Sequence, residues 1–254
     1  MITNKYKPLS KIAMSIPPRK FKASITALVQ LSPTVISITF KPVDFPDFTF
    51  EAGQFVMLSL PDEAGNENKR AFSIASPPHE APEFRLCIKV HQGGKVSGRI
   101  GSVPVGGLVD FHGPFGKFVL HKPLDKETMF VAGGTGIAPL YSMIADLLHT
   151  NTQTDIALFF SFREPYDYLY AKNLEQLADK HSNFKVYTTL TSRTASVPGW
   201  CGSRGRICEL LMRIIKSPRD KSVYICGPKE FIDASRETLV QIGIPSEKIF
   251  VEQW

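Results

Sequence analysis

An arginine opens an apolar stretch in the first half of the chain. The stretch KRAFSIASPP runs from Lys69 to Pro78, and its Arg70 precedes Phe72 and Ser73. A strand that only fills a core does not need a permanently charged residue at its start. The pattern therefore indicates that this strand holds a polar group besides contributing to a core.

A glycine-rich segment provides a second candidate site. VAGGTGIAP, Val131–Pro139, follows an apolar run and precedes a helical pattern. Its glycines permit a tight turn and a close backbone approach, and N–H groups at a helix N-terminus attract phosphate. We interpret the segment as nucleotide-binding, against the alternative of a plain strand–helix turn. It departs from the ordinary dinucleotide fingerprint, because Pro139 replaces the third small residue and Arg163-Glu164 replaces the expected acid.

A second glycine segment, GGKVSGRI, begins at Gly93. Gly94 and Ser97 are predicted to begin a short helix whose N–H groups and hydroxyl meet a phosphate, and Lys95 and Arg99 add positive charge. An ordinary turn with an ordinary serine cap remains an equal alternative.

Two further motifs lie near the C-terminus. YICGP places Cys226 at the end of a predicted strand, and VEQW closes the chain with Glu252 and Trp254. A lone cysteine is more often a buried small thiol than a reactive group, and an apolar chain end often docks into the core. From the residues alone, a structural role and a functional role stay open for each of the two motifs.

The elements that must position these residues change in character along the chain. Up to about residue 122, short runs rich in β-branched and aromatic residues are separated by Pro or Gly, which predicts an antiparallel barrel or sandwich. After a predicted linker at 121–127, apolar runs alternate with helical patterns, which predicts βαβ units and a parallel sheet. We divide the chain into a basic N-terminal segment (1–20), an antiparallel domain (21–122) and an α/β domain (123–254).

Composition excludes several classes of protein. The four scattered cysteines lack a CxxC pair and the six histidines lack metal spacing, so we expect no metal site. The sequence shows neither the basic stripe nor the base-reading motif that is typical of nucleic-acid-binding proteins. No apolar run is long enough for a transmembrane segment. The N-terminus lacks the apolar centre of a signal peptide, which favours a cytoplasmic protein. The net charge of +6 favours an acidic partner or a loose basic arm.

Taken together, the motifs resemble one family, the ferredoxin–NADP reductase superfamily. RAFS is similar to its flavin strand, GKVS to its pyrophosphate segment and GPFG to the end of its flavin barrel. GGTGIAP is similar to its nicotinamide-nucleotide loop, CGP to its cysteine motif and EQW to its terminal Glu-x-aromatic. All six occur in family order over about residues 21–254. The resemblance implies an FAD-binding antiparallel Greek-key β-barrel followed by an α/β parallel-sheet nucleotide-binding domain, in an NAD(P)H-dependent reductase.

The resemblance also implies roles for individual residues. Arg70 would pair with the FAD pyrophosphate, Phe72 would lie against the flavin ring, and Trp254 would cover its other face. The expected catalytic residues, none of them a covalent nucleophile, are Ser73, Cys226, Glu252 and Trp254. The expected cofactor-binding residues are Arg70, Ala71, Phe72, Ser73, Ile88, Lys89, Val90, Gly94, Lys95, Val96, Ser97, Gly133, Gly134, Thr135, Gly136, Ile137, Ala138, Pro139, Arg163, Ser192, Arg193, Cys226, Gly227, Pro228 and Trp254.

Departures from the family pattern leave two questions open: which acceptor receives the electrons, and whether the flavin is a bound cofactor or a substrate. Phe72 replaces the usual tyrosine, as in free-flavin reductases that use flavin as a substrate. Neither an iron–sulfur module nor a cysteine-rich tail is present, so we expect electrons to pass to a separate acidic protein, such as a ferredoxin, iron–sulfur or oxygenase component, or to a small acceptor. The alternatives are a free-flavin reductase and, against the intact motifs, a non-catalytic nucleotide-binding subunit.

The choice between NADH and NADPH rests on one segment. Ser192-Arg193 resembles the 2′-phosphate site of NADPH-specific relatives, yet the same pair occurs in NADH-using relatives with the W-x-G-x-x-G continuation, here Trp200–Gly205. Arg163, Arg193 and Arg204 are all available to a phosphate. The sequence favours NADH slightly.

Overall fold

The computed structural model describes residues 17–62, 64–192 and 200–253, which form an antiparallel barrel packed on an α/β domain. Arg193 and Trp254 lie outside the described residues. The boundary drawn between the two domains at residue 122 stays a prediction. No helix in the described part of the chain is both long and apolar enough to cross a bilayer.

Six antiparallel strands form the first unit, in the order β4-β3-β6-β1-β2-β5. The two edge strands meet through a bridge between Ile74 and Leu86, and the Ala75 N–H donates to the Arg85 carbonyl at 2.8 Å. This closure confirms a barrel. The strands are β1 (Arg19–Ser32), β2 (Val35–Pro42), β3 (Phe55–Pro61), β4 (Glu67–Ser73), β5 (Phe84–Lys89) and β6 (Leu108–Phe115).

Phenylalanine fills the interior of the barrel. Phe40, Phe84 and Phe111 are fully or almost fully buried. The Phe40 ring centroid lies 5.4 Å from that of Phe84 and 4.9 Å from that of Phe111. Large rings projecting inward from different strands give the barrel a dense core. Because alternate residues point outward, the strands are free to present polar side chains to the second unit.

The second unit is a parallel sheet in the order β10-β9-β8-β7-β11-β12, with helices on its faces. The chain runs outward from β7 to β10 and then returns to the other side of β7. The strand order therefore reverses between β7 and β11, where open α/β sheets bind ligands. The strands are β7 (Glu127–Gly133), β8 (Asp155–Phe162), β9 (Phe184–Leu190), β10 (Ser203–Arg204), β11 (Lys221–Gly227) and β12 (Ile249–Gln253), and the helices are α1 (Ile137–His149), α2 (Ala171–Lys180), α3 (Ile207–Ile214) and α4 (Lys229–Ile242).

Three local predictions differ from the structure. The helix expected to begin at Gly94–Ser97 is wrong, because that segment forms turns and only a single 3₁₀ turn follows at Ile100–Ser102. The two-residue strand β10 was not predicted, because two residues carry no periodicity. The helical pattern YLYAKNLEQLADKH predicts a helix from Tyr168, but α2 begins at Ala171, because Tyr170 has a left-handed backbone conformation (φ 59°).

Candidate functional site

A cleft of about 370 Å³ lies between the barrel and the α/β domain. Its walls come from β4 and β5 on one side and from the glycine turn, α1 and the end of β12 on the other. This volume is within the range of small-molecule sites, which favour domain interfaces. The residues that line it are Phe55, Arg70, Ala71, Phe72, Ser73, Cys87, Lys89, His91, Thr135, Ala138, Glu252 and Gln253.

A hydrogen bond between Ser73 and Glu252 links the two domains across the cleft. Ser73 ends β4, and its hydroxyl donates to Oε1 of Glu252 at 3.1 Å. Burial raises the pKa of Glu252 to about 7, although the Ser73 hydrogen bond acts in the opposite direction. Glu252 can therefore hold or release a proton near neutral pH, beside the hydroxyl of Ser73.

Two cations stand at the edge of the same cleft. Arg70 and Lys89 are both exposed. The Arg70 side chain has no hydrogen bond or ion pair to any residue in the described ranges. A guanidinium that no carboxylate already occupies can take a phosphate in bidentate geometry.

The glycine turn is packed against the neighbouring strand. Gly134–Gly136 form a 3₁₀ turn between β7 and α1. A Cβ on Gly136 would lie 2.2 Å from the carbonyl oxygen of Cys226, so a larger residue cannot occupy this position. The close approach brings Thr135, which lines the cleft, to the carboxyl ends of β7 and β11.

Cys226 does not line the cleft in the structure. It is completely buried in β11, opposite Ala132 of β7 and Glu252 of β12. Burial raises the pKa of its thiol well above the usual value, and the Glu252 carboxylate adds to this shift. The thiol is therefore protonated at neutral pH.

The turn at residues 93–99 forms a shallow hollow with Asp62. A Cβ on Gly94 would lie 2.7 Å from the Ser97 hydroxyl, and one on Gly98 would lie 2.6 Å from the carbonyl oxygen of His91. The hollow is a cradle that additional side-chain atoms would fill, and the exposed Lys95 lies at its edge. These features fit a phosphate group bound against backbone.

A third cavity, of about 720 Å³, opens at the carboxyl ends of β8, β9 and β11. Of the predicted nucleotide residues, Ser192 and Pro228 line it, and Arg204 lies there too. Arg163 does not, and its Nε lies 3.9 Å from Oε1 of Glu164. The cavity is lined by Ser161, Leu190, Thr191, Ser192, Arg204, Gly205, Arg206, Ile207, Cys208, Glu209, Pro228, Glu230, Phe231 and Ala234.

Some predicted binding residues lie inside the protein. Ile88 and Val96 belong to the barrel core, and Val90 packs on it. Ile137 and Pro139 are buried in the first turn of α1. The side chains of these five residues pack, so any contact that they make with a cofactor involves the backbone.

Sequence reasoning missed several residues of the interdomain cleft and of the third cavity. Cys87 and His91 line the first cleft beside the predicted Lys89. Their spacing of two residues from Lys89 is the signal that could have found them, because alternate residues of a strand share a face. Phe231, which lines the third cavity, carries no comparable signal.

The barrel, the α/β sheet with its reversal of strand order, the cleft between them and the hollow at residues 93–99 together fit a protein that binds nucleotides. Comparison with protein families agrees. Residues 22–120 match the family described as the oxidoreductase FAD-binding domain, and residues 130–237 match the oxidoreductase NAD-binding domain.

Individual relatives narrow the class. The chain is 33% identical over 240 residues to DmpP, the reductase component of phenol 2-monooxygenase from Pseudomonas sp. strain CF600, a match that covers 94% of this chain and 66% of that relative. It is also 33% identical over 241 residues to ferredoxin–NADP reductase B from Sorangium cellulosum, covering 92% and 97%. Among solved structures, a ferredoxin–NADP reductase from Neisseria gonorrhoeae with bound FAD and NADP has a TM-score of 0.78 at 21% identity, covering 92% and 98%.

The chain therefore belongs to the ferredoxin–NADP reductase superfamily. It is an NAD(P)H-dependent oxidoreductase with FAD as its flavin.

Proposed function

We propose that the protein takes a hydride from NAD(P)H onto FAD held in the interdomain cleft and passes the electrons to a separate protein acceptor. The observation that carries the proposal is the convergence of Arg70, Ser73, Thr135 and Glu252, from both domains, on one cleft. FAD, when bound, would supply the chemistry by accepting a hydride and releasing electrons singly or in pairs.

The chain's own residues would hold and orient the two cofactors and exclude water from the cleft. Arg70 and the cradle at residues 93–99 would hold the pyrophosphate, and Phe72, which lines the cleft, would lie against the flavin ring. Ser73 and Glu252 supply a hydroxyl and a carboxyl that holds or gives up a proton near pH 7. The glycine turn and the third cavity would hold the nicotinamide nucleotide, and the cleft would keep water from the reacting flavin and nicotinamide rings.

The acceptor that fits best is an acidic electron-transfer protein. The relatives named above include a monooxygenase reductase component and a ferredoxin–NADP reductase. The net charge of +6 and the exposed Lys89 at the cleft favour approach by an acidic surface. We also propose that the protein is cytoplasmic, which cell fractionation would test.

The visible spectrum of the purified protein tests the proposal. A protein with bound flavin is yellow, and anaerobic NADH or NADPH should bleach it. Catalytic reduction of a ferredoxin or oxygenase component should then follow. A protein that never binds FAD, or whose bound FAD neither nucleotide reduces, would contradict the proposal.

One feature favours a second candidate function, a free-flavin reductase. Phe72 lines the cleft without the hydroxyl that would add a contact to FAD. A colourless protein that reduces added flavin with NADH would support this function. The same experiment run with both nucleotides tests our proposal that NADH is preferred, which rests on the W-x-G-x-x-G continuation, Trp200–Gly205, that resembles NADH-using relatives.

A further inference from the structure

A thiol faces the flavin cleft from the barrel side. Along β5, Leu86 and Ile88 point into the barrel core, whereas Cys87 points out of the barrel. Cys87 is only 6% exposed, lines the cleft and packs with Ala138 and Tyr141 of α1. It is thus a buried polarisable group at the wall where both domains meet.

Tyr170, which packs against the same cluster as this thiol, has an unusual backbone conformation. Tyr170 has φ 59° and ψ 20°, and it is the only aromatic residue among the three non-glycine residues with positive φ in the described part of the chain. A bulky side chain in this region costs about 1–2 kcal/mol and persists only where its surroundings impose it. The Tyr170 ring stacks on Tyr141 with centroids 4.6 Å apart and planes 8° from parallel.

The hydroxyl of Tyr170 is buried and makes no hydrogen bond of regular geometry within the described residues. Tyr170 packs against the hydrophobic cluster to which Cys87 belongs, and each of the two groups shifts the other's pKa. Burial raises the pKa of Cys87 to about 12 and that of Tyr170 well above its usual value. Both groups are therefore protonated at neutral pH, and each can donate one proton and accept one.

We propose that Tyr170 is a positioning residue that orients the Cys87 thiol toward the flavin. When the Tyr170 phenol donates a hydrogen bond to Sγ of Cys87, the S–H bond points away from Tyr170. Cys87 lines the cleft, so the S–H bond can then point toward a flavin atom that accepts a hydrogen bond. The inference rests on the proposed function, because it requires FAD in the cleft. The S–H group then donates a weak hydrogen bond to a carbonyl or ring nitrogen of the flavin, with no covalent step.

This geometry has a consequence for the flavin potential. The flavin acceptor atoms gain electron density on reduction, so a donor there stabilises the reduced form. Loss of the donor should lower the ratio of reduced to oxidised flavin up to about tenfold, which for a two-electron couple corresponds to about 30 mV.

The experiment is a double-mutant cycle read by the midpoint potential of bound FAD. Tyr170→Phe and Cys87→Ala should each lower the potential, and Tyr170→Phe should add nothing in the Cys87→Ala background. Cys87→Ser, which keeps a donor, should preserve most of the wild-type potential. Tyr141→Phe is the matched control, because it removes a hydroxyl from the stacked ring and should leave the potential unchanged.

A second readout does not depend on turnover. The infrared S–H band that disappears in Cys87→Ala should shift when FAD binds, and Tyr170→Phe should abolish that shift. Equal potentials in all variants, or additive effects of the two substitutions, would overturn the inference while leaving the reductase function intact. Failure of the wild-type protein to bind FAD would instead overturn the proposed function. If Tyr170→Phe fails to fold, the Cys87→Ala and Cys87→Ser potentials decide.

Discussion

At the scale of single residues, Arg70 carries the strongest prediction. A charge-assisted hydrogen bond to phosphate contributes roughly 1.5–3 kcal/mol, so Arg70→Ala should weaken FAD binding about 10- to 100-fold. Lys69→Ala is the control, because Lys69 is adjacent, exposed and already paired with Glu67 at 2.8 Å. Fluorescence titration of the flavin-free variants measures the effect. Equal losses in both variants would mean that only the general positive charge matters.

Glu252 gives a prediction about pH. Its pKa is about 7 in the folded protein against 4.5 ordinarily, so between these values the folded state binds more protons than the unfolded state. The contribution of Glu252 to the free energy of unfolding therefore falls as pH rises from 4.5 to 7 and then levels off. Glu252→Gln should match the wild type near pH 4.5 and be more stable by about 2 kcal/mol above pH 8. Urea unfolding of the flavin-free protein at both pH values measures this, and a difference that does not vary with pH would contradict it.

At the scale of elements, the aromatic ring of Phe231 in α4 packs closely against the glycines that end β7 and β11. A Cβ on Gly133 would lie 2.9 Å from this ring, and one on Gly227 would lie 2.7 Å from it. Gly133→Ala should therefore displace the glycine turn and raise the KM for NAD(P)H while FAD stays bound. Adding Phe231→Ala removes the clash and should restore part of the affinity, with a coupling energy of about 1–3 kcal/mol.

Gly134 is the control for that coupling. It has φ +55° and nothing within 4 Å of an added Cβ, so Gly134→Ala is strained by its backbone alone. Phe231→Ala should not rescue it. Steady-state KM values for the single and double variants separate the two cases, and equal rescue of both would contradict the packing argument.

The same elements explain how much could be predicted from the sequence. Period-two runs and strand–helix alternation predicted both sheets, because each face of a strand or helix is decided locally by what it buries. The motif residues Arg70, Ser73, Thr135 and Glu252 do meet in one cleft. The pairing of Cys87 with Tyr170 depends on how the two domains pack, and no local pattern encodes that.

At the scale of the whole molecule, charge governs the encounter with the acceptor. The chain has a net charge of +6, and Lys89 is exposed at the cleft through which electrons would leave. Electrostatic steering by such a surface raises the association rate with an acidic protein, and salt screens it over a Debye length of about 8 Å at 0.15 M. Reduction of an acidic ferredoxin-type acceptor should therefore slow steeply between low and high salt. A neutral quinone is the control, because its encounter does not depend on charge, whereas ferricyanide is anionic and would be steered too. Stopped-flow rates over a salt series measure both acceptors. If the protein acceptor is no more sensitive to salt than the quinone, the acceptor does not dock through an acidic surface.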